Sequence, residues 1–277
     1  MPGKLYIVGT PIGNLGDISP RAAKTLSESD FIAAEDTRVS IKLLNHLGIK
    51  KPLMSYYDHN KNASGEKILA RILDGDTCAL VTDAGMPAVS DPGYELVKMC
   101  AESDIEVIVV PGPCALIAAL AGSALPSGRF TFEGFLSTAK QSRLRHLEEV
   151  KSEKRTMVFY EAPHKLPTTL RDMFAAFGDR KITLARELTK IHEEFLRTTL
   201  SGAIEYFSEI PPRGEFVLVI AGAPEAVKEK MPPDEALKIV TAYRDEGKSL
   251  KEAAELAAAE TNHSKNELYS LYIRKNG

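Results

Sequence analysis

The sequence predicts an α/β protein made of two α/β domains that face each other across a cleft, followed by a small helical extension. Three observations predict it. Short β-branched runs alternate with helical patterns over most of the chain. Glycine- and proline-rich loops follow several of those runs directly. The strand pattern stops at Pro232-Pro233, and only helical patterning follows. The junctions place the domains at residues 1–115 and 116–226, with the extension at 227–277.

In the first domain the runs Leu5–Val8, Phe31–Ala34, Leu53–Tyr57, Cys78–Thr82 and Glu106–Val110 read as parallel strands joined by crossover helices. Ser19 before Pro20 is an N-cap followed by proline at the first helical position. Ile41, Leu44 and Leu47 recur at three-residue spacing, and Gly48 ends that helix. Ile68, Leu69, Ile72 and Leu73 form another apolar stripe before Gly75. The apolar run Cys114 to Leu125 is too short to span a bilayer and reads as a buried helix. The second domain repeats the alternation with Phe130–Phe135, Thr156–Tyr160, Ile182–Ala185 and Phe216–Ile220. From Met231 the chain reads as three short helices, with Ala253, Ala254, Leu256, Ala257 and Ala258 in the middle one.

The chemistry-bearing residues follow the strands at once. Val8 runs into Gly9-Thr-Pro-Ile-Gly-Asn14, Thr82 into Asp83-Ala-Gly-Met-Pro87 and on to Ser90-Asp-Pro-Gly93, and Val110 into Pro111-Gly-Pro-Cys114. Loops after parallel strands emerge at the carboxyl edge of a sheet, where ligands bind. Glycine lets backbone approach a ligand, and proline limits the entropy lost on binding. The second domain offers charged loops instead: Glu161-Ala-Pro-His-Lys165 and Arg186-Glu-Leu-Thr-Lys190. A ligand cradled by the first set, with a reacting group handled by the second, is the economical reading. Plainer readings stand beside it: Gly9–Asn14 as a strand-to-helix turn, Asp83 as a cap, Pro111–Cys114 as a stiff linker, Glu161 and Glu187 as ion-pair partners.

Composition excludes several classes. Of 277 residues, 44% are hydrophobic and 26% charged, as in ordinary globular proteins. The start lacks the flanks of a signal peptide, so a cytoplasmic location is expected. The formal net charge of −3 does not favour nucleic acid globally, so any RNA must be held by a local basic patch. Cys78, Cys100 and Cys114 match no zinc or redox spacing and read as small buried hydrophobes. The histidines form no HxxxH or HExxH pair, and no metal is expected.

The segments Gly9-Thr-Pro-Ile-Gly-Asn14, Ala34-Glu-Asp-Thr-Arg38, Thr82 through Gly93, Pro111-Gly-Pro-Cys-Ala115, Phe159-Tyr-Glu-Ala-Pro-His-Lys165 and Ala185-Arg-Glu-Leu-Thr-Lys190 closely resemble the ribosomal RNA small subunit methyltransferase I family, within the tetrapyrrole methylase superfamily. The resemblance runs in order from residue 4 to about residue 222. It implies S-adenosylmethionine (SAM) in the interdomain cleft, a homodimer, and 2′-O-methylation of a cytidine in the decoding region of 16S rRNA. It carries cofactor contacts to Gly9, Pro11, Asp83, Ala84, Gly85, Pro87, Ser90, Cys114 and Ala115, with Tyr160, Ala162 and Ala185 opposite. Two positions depart from the family: Cys114 stands where serine is usual, and Lys165 where arginine is commoner, which loses a planar phosphate grip. The tail, especially Ser264-Lys-Asn-Glu-Leu-Tyr269, resembles the family's helix-turn-helix-like extension.

Methyl transfer to a ribose hydroxyl is an in-line displacement. Orienting the reactants supplies about 7–11 kcal/mol of the barrier, whereas a general base adds about 10²–10⁴-fold. Glu161 or Glu187 is expected to take the proton, with Lys165, Lys190 or Arg38 holding the neighbouring phosphate. Lys140, Arg143 and Arg145 form the expected RNA patch, against the plainer reading of a solvated helix face. An acidic enzyme favours an assembled small subunit as substrate. The rivals are a tetrapyrrole methyltransferase of the same fold and a non-catalytic SAM-binding ribosome-assembly factor.

Overall fold

The computed structural model describes residues 1–224 and 230–276; the expected boundary between residues 226 and 227 lies outside them. The chain divides into two compact units, Met1–Ala223 and Pro224–Gly277.

The first unit contains two five-stranded sheets. Strands β1 (Leu5–Val8), β2 (Phe31–Ala34), β3 (Leu53–Ser55), β4 (Cys78–Val81) and β5 (Val107–Val110) pair in the order β3-β2-β4-β1-β5, all parallel. β2 and β4 are buried throughout, as near-continuous apolar runs in a doubly covered parallel sheet should be. Successive residues feed opposite layers: Leu5, Phe31 and Leu80 pack with Ile68, Ile72 and Leu96, while Val8, Ile32 and Ala79 pack with Ala22, Leu26 and Leu44. Four helices supply those partners: α1 (Pro20–Glu28), α2 (Thr37–His46), α3 (Lys61–Leu73) and α4 (Tyr94–Glu102). Ser19 caps α1 by accepting from the Ala22 N–H, with Pro20 in the first turn, as expected. Because β4, β1 and β5 are neighbours, the three loops that follow them share one stretch of the carboxyl edge.

α5 (Ala115–Gly122) packs Leu116, Ala119 and Leu120 on the second sheet, against Val158, Val217 and Val219. Its Ile117 is exposed, so only one face of this apolar helix is buried. The second sheet comprises β6 (Phe130–Phe135), β7 (Thr156–Glu161), β8 (Lys181–Arg186), β9 (Glu194–Thr199) and β10 (Phe216–Ile220), ordered β6-β7-β10-β8-β9. Here the expectation of parallel strands is corrected. Only β6 and β7 run parallel; β7–β10, β10–β8 and β8–β9 are antiparallel. The reason lies in the connection between β8 and β9. It is far too short for a crossover helix, which needs about a dozen residues, and it turns back through left-handed Glu187 (φ 50°) and Thr189 (φ 66°). Helices α6 (Lys140–Val150), α7 (Leu166–Phe177) and α8 (Leu200–Glu209) cover the other face, with Leu147, Leu170, Met173 and Leu200 meeting Met157, Phe159 and Leu218.

The second unit holds α9 (Pro233–Asp245), α10 (Leu250–Thr261) and α11 (Lys265–Asn276), the three expected short helices. They enclose their own core of Ala236, Val240, Ala253, Ala254, Ala257 and Leu268. Asn262, at φ 57°, ends α10 in the left-handed region that asparagine tolerates. Among the described residues no helix is long and apolar enough to cross a membrane.

Candidate active site

The loops after β1, β4 and β5 are fastened to one another. Thr10 and Gly85 exchange two backbone hydrogen bonds, of 2.9 and 3.1 Å, and the Thr10 hydroxyl donates to the Thr82 carbonyl at 3.2 Å. Gly9 and Gly112 pass so closely that a Cβ built on Gly9 would lie 2.7 Å from the Gly112 Cα. Gly85 adopts φ +90°, which only glycine takes without strain. The glycines therefore serve loop-to-loop contact first.

Beside these loops lies a cleft of about 520 Å³ between the two sheets of the first unit, within the range of small-molecule sites. Glu35, Thr82, Asp83, Ala84, Gly85, Ser90 and Asp91 line one wall. Cys114 and Ala115 form its end, and Phe135, Tyr160, Glu161, Ala162, Glu187, Lys190 and Phe216 line the other. Of the expected cofactor residues, Asp83, Ala84, Gly85, Ser90, Cys114, Ala115, Tyr160 and Ala162 meet here. Gly9, Pro11, Pro87 and Ala185 do not reach the wall. Gly9 faces Gly112, Pro87 is buried within its loop, Pro11 is half-buried beside Ile12, and Ala185 lies in the core under α5. Cys114 is also corrected: unlike Cys78 and Cys100 it is only half-buried, and it opens α5 without a side-chain cap. Tyr160 compensates from the opposite sheet, its hydroxyl accepting from the Leu116 N–H at 3.2 Å. Burial pushes the Tyr160 phenol up to about 12, so it stays neutral.

The expected bases are already engaged. Glu161 accepts from the Ala162 N–H at 2.8 Å and from the Thr169 hydroxyl, and pairs with Lys165 at 2.9 Å. Lys165 also donates to the Leu136 carbonyl at 3.1 Å, which ties it to its own sheet rather than to a phosphate. Glu187 pairs with Lys190 at 3.1 Å and accepts from the Glu215 N–H at 3.4 Å. Burial alone would raise the Glu187 carboxyl, but Lys190 outweighs it and the net direction is down. The ion-pair reading of both glutamates is what their geometry shows. Asp83, for its part, accepts from the Asp36 N–H at 3.1 Å and joins two loops.

Sequence reasoning passed over Asp91, Glu35 and Phe135. Burial pushes the Asp91 carboxyl up to about 6, helped by the neighbouring charges of Glu35 and Asp83 and opposed by the Thr82 hydroxyl. Glu35 accepts from that same hydroxyl. Asp91 stood inside the Ser90-Asp-Pro-Gly93 loop, where aspartate before proline reads as turn chemistry. Phe135 read as one more strand hydrophobe, yet it is 58% exposed.

The expected RNA cations separate. Arg38 is exposed and forks onto Asp36, two residues before it. Lys140 and Arg145 lie exposed on α6, Arg145 3.9 Å from Glu149. Arg143 is corrected. It turns inward, 8% exposed, bonds Asp172 at 2.7 Å and donates to the Ser137 and Thr138 carbonyls. Three of its five N–H donors are spent on these partners, and the group is buried, so it is not part of a surface phosphate patch.

Known proteins share this arrangement. Residues 4–204 match the family described as Tetrapyrrole (Corrin/Porphyrin) Methylases. A protein of Synechocystis named ribosomal RNA small subunit methyltransferase I is 48% identical over 98% of each chain. One of the same name from Thermotoga maritima is 50% identical over 79% of this chain and 99% of its own. Among solved structures, a uroporphyrin-III C-methyltransferase of Thermus thermophilus complexed with S-adenosyl homocysteine superposes with a TM-score of 0.57 at 17% identity, over 79% of this chain and 97% of its own. Diphthine synthase gives 0.61 at 12% identity, over 79% and 90%. With two sheets, a cleft fastened by glycine loops and a family match over most of its length, the chain belongs to the tetrapyrrole methylase family.

Proposed function

We propose that this protein is a SAM-dependent methyltransferase that modifies the 2′-hydroxyl of a cytidine in the decoding region of small-subunit rRNA. The observation that carries the reading is the fastened cleft itself, in a chain whose full-length relatives bear an rRNA methyltransferase name. The residues fit the cofactor. The loop at 83–85 and the start of α5 offer backbone to an adenosyl group. Glu35, Asp83 and Asp91 lack a cation within ion-pair distance among the described residues and suit a ligand that carries a sulfonium and an ammonium. A fold neighbour bound to S-adenosyl homocysteine accords with this.

Bound there, SAM would supply an electrophilic methyl group with a neutral thioether as its leaving group. The protein's part is to align and to take a proton. Alignment comes from loops that Thr10, Gly85 and Gly112 hold rigid, so little order is left to impose on binding. Proton transfer falls to Asp91 rather than to Glu161 or Glu187, whose carboxylates are already taken up by Lys165 and Lys190. A carboxylate whose pKa lies near neutrality is the better acceptor. Lys140 and Arg145 supply a local phosphate attraction that the net charge lacks.

Transfer of label from [methyl-³H]SAM tests the reading. Methyl on rRNA of unmodified small subunits, at a ribose, is the expected result. Transfer only to a uroporphyrinogen-type tetrapyrrole, or cofactor binding with no transfer to RNA, would overturn it.

A further inference from the structure

We infer that Phe135 is a stacking platform for an unpaired base of the RNA acceptor; the inference rests on the RNA-methyltransferase reading of this cleft. It begins with β6. In a regular strand, residues 130, 132 and 134 would share one face, and residue 135 would point to the other. The β6–β7 ladder slips between Phe132 and Gly134: Phe132 faces Val158, Gly134 faces Phe159, and Phe135 faces Tyr160. That extra residue moves Phe135 onto the face of Phe130, Phe132, Val158 and Tyr160, toward the cleft. Gly134 allows it, with φ +65° and open space where a Cβ would stand. Without the bulge, Phe135 would point to the helix-covered side with Phe159.

The bulge therefore turns a large apolar ring out of a covered layer and leaves it 58% exposed at the cleft wall. Its inner side rests on Tyr160, with ring centroids 5.4 Å apart, and Phe132 backs Tyr160 at 5.0 Å. The ring is thus supported, with the Lys165 ammonium 5.9 Å from its centroid, and still largely open. The other aromatics of the lining are not: Tyr160 is half-buried with its hydroxyl on Leu116, and Phe216 is 2% exposed. A nucleotide drawn into the cleft so that its ribose hydroxyl meets a recessed methyl donor loses its neighbours in the RNA stack, and its base then gains from a new π-face. Phe135 offers one on the wall opposite the backbone loops.

Phe135→Ala, Phe135→Leu and Phe135→Trp test this through three readouts: KM for unmodified small subunits, kcat at saturation, and the Kd of S-adenosyl homocysteine by calorimetry. Stacking on an aromatic ring predicts a KM about 10-fold or more higher for Phe135→Ala, from stacking worth about 1–3 kcal/mol. Phe135→Trp should restore KM and Phe135→Leu should not, while the Kd stays within about twofold in all three. A Kd that weakens as much as KM rises would put the ring against the cofactor and overturn the inference. An unchanged KM would overturn it too. Wild-type protein that methylates no RNA would instead remove the reading beneath it, before any variant is compared.

Discussion

Asp91 is held in a partly buried site beside Glu35 and Asp83, and burial above all raises its carboxyl to about 6. Its free-chain value is near 3.8, so between those two pH values the native state binds more protons than the unfolded one. Stability from this group is complete below pH 3.8 and is lost as pH rises through 6. At pH 7 the charged carboxylate is therefore a cost to folding, kept for chemistry. Asp91→Asn should raise Tm by about 2–4 °C, the shift for about 1 kcal/mol in a unit of this size; solvent access to the carboxyl keeps it below the full value of the pKa shift. It should lower kcat by about 10²–10⁴-fold, and wild-type kcat should fall on the acid side of about pH 6. A variant with normal turnover, or a wild-type profile flat from pH 5 to 8, would remove Asp91 from the chemistry. None of this was legible in the local sequence. The site needs Glu35, Asp83 and Asp91 brought to one strand edge, and only the pairing of β2 with β4 does that.

At the scale of elements, the first sheet was legible because most of its strands are short apolar runs, set between helical stretches that Ser19-Pro20, Gly48 and Gly75 punctuate. β9 was not. Glu-Phe-Leu-Arg-Thr-Thr mixes charge and apolar residues without alternation, and its strand conformation follows from its ladder with β8. α6 shows the same limit for function. Lys140, Arg143 and Arg145 look equivalent in sequence, but the helix turns Arg143 toward Asp172 on α7 and leaves the others in water. Substitution should separate them. Arg143→Ala should lose about 1.5–3 kcal/mol of stability, the range for hydrogen bonds to charged groups, with no change in the salt dependence of RNA binding. Lys140→Ala with Arg145→Ala should leave Tm within about a degree and flatten log Kd against log [salt] by about one unit for each phosphate no longer neutralised. If Arg143→Ala changes the salt slope while the double variant does not, the assignment on α6 is reversed.

At the scale of the whole molecule, the two units have separate reasons to fold. Among the described residues, the clusters under the two sheets draw on residues 5–220 and the helical core on residues from 231 onward. Every residue that lines the cleft lies at or before Val217. The Thermotoga maritima relative, matched over 99% of its own length, accounts for only 79% of this chain. This chain therefore extends beyond the matched length by a stretch about as long as the helical unit. Truncation after Ala223 should then leave a protein that unfolds in one cooperative transition and binds S-adenosyl homocysteine within about twofold of the full chain. Since the described lining of the cleft belongs to the first unit, a loss of methyl transfer in the truncated protein should appear in KM for the small subunit and not in cofactor affinity. If the truncated protein instead aggregates, or folds but loses the cofactor, the helices are part of the cleft's stability and the division of labour between the units is wrong.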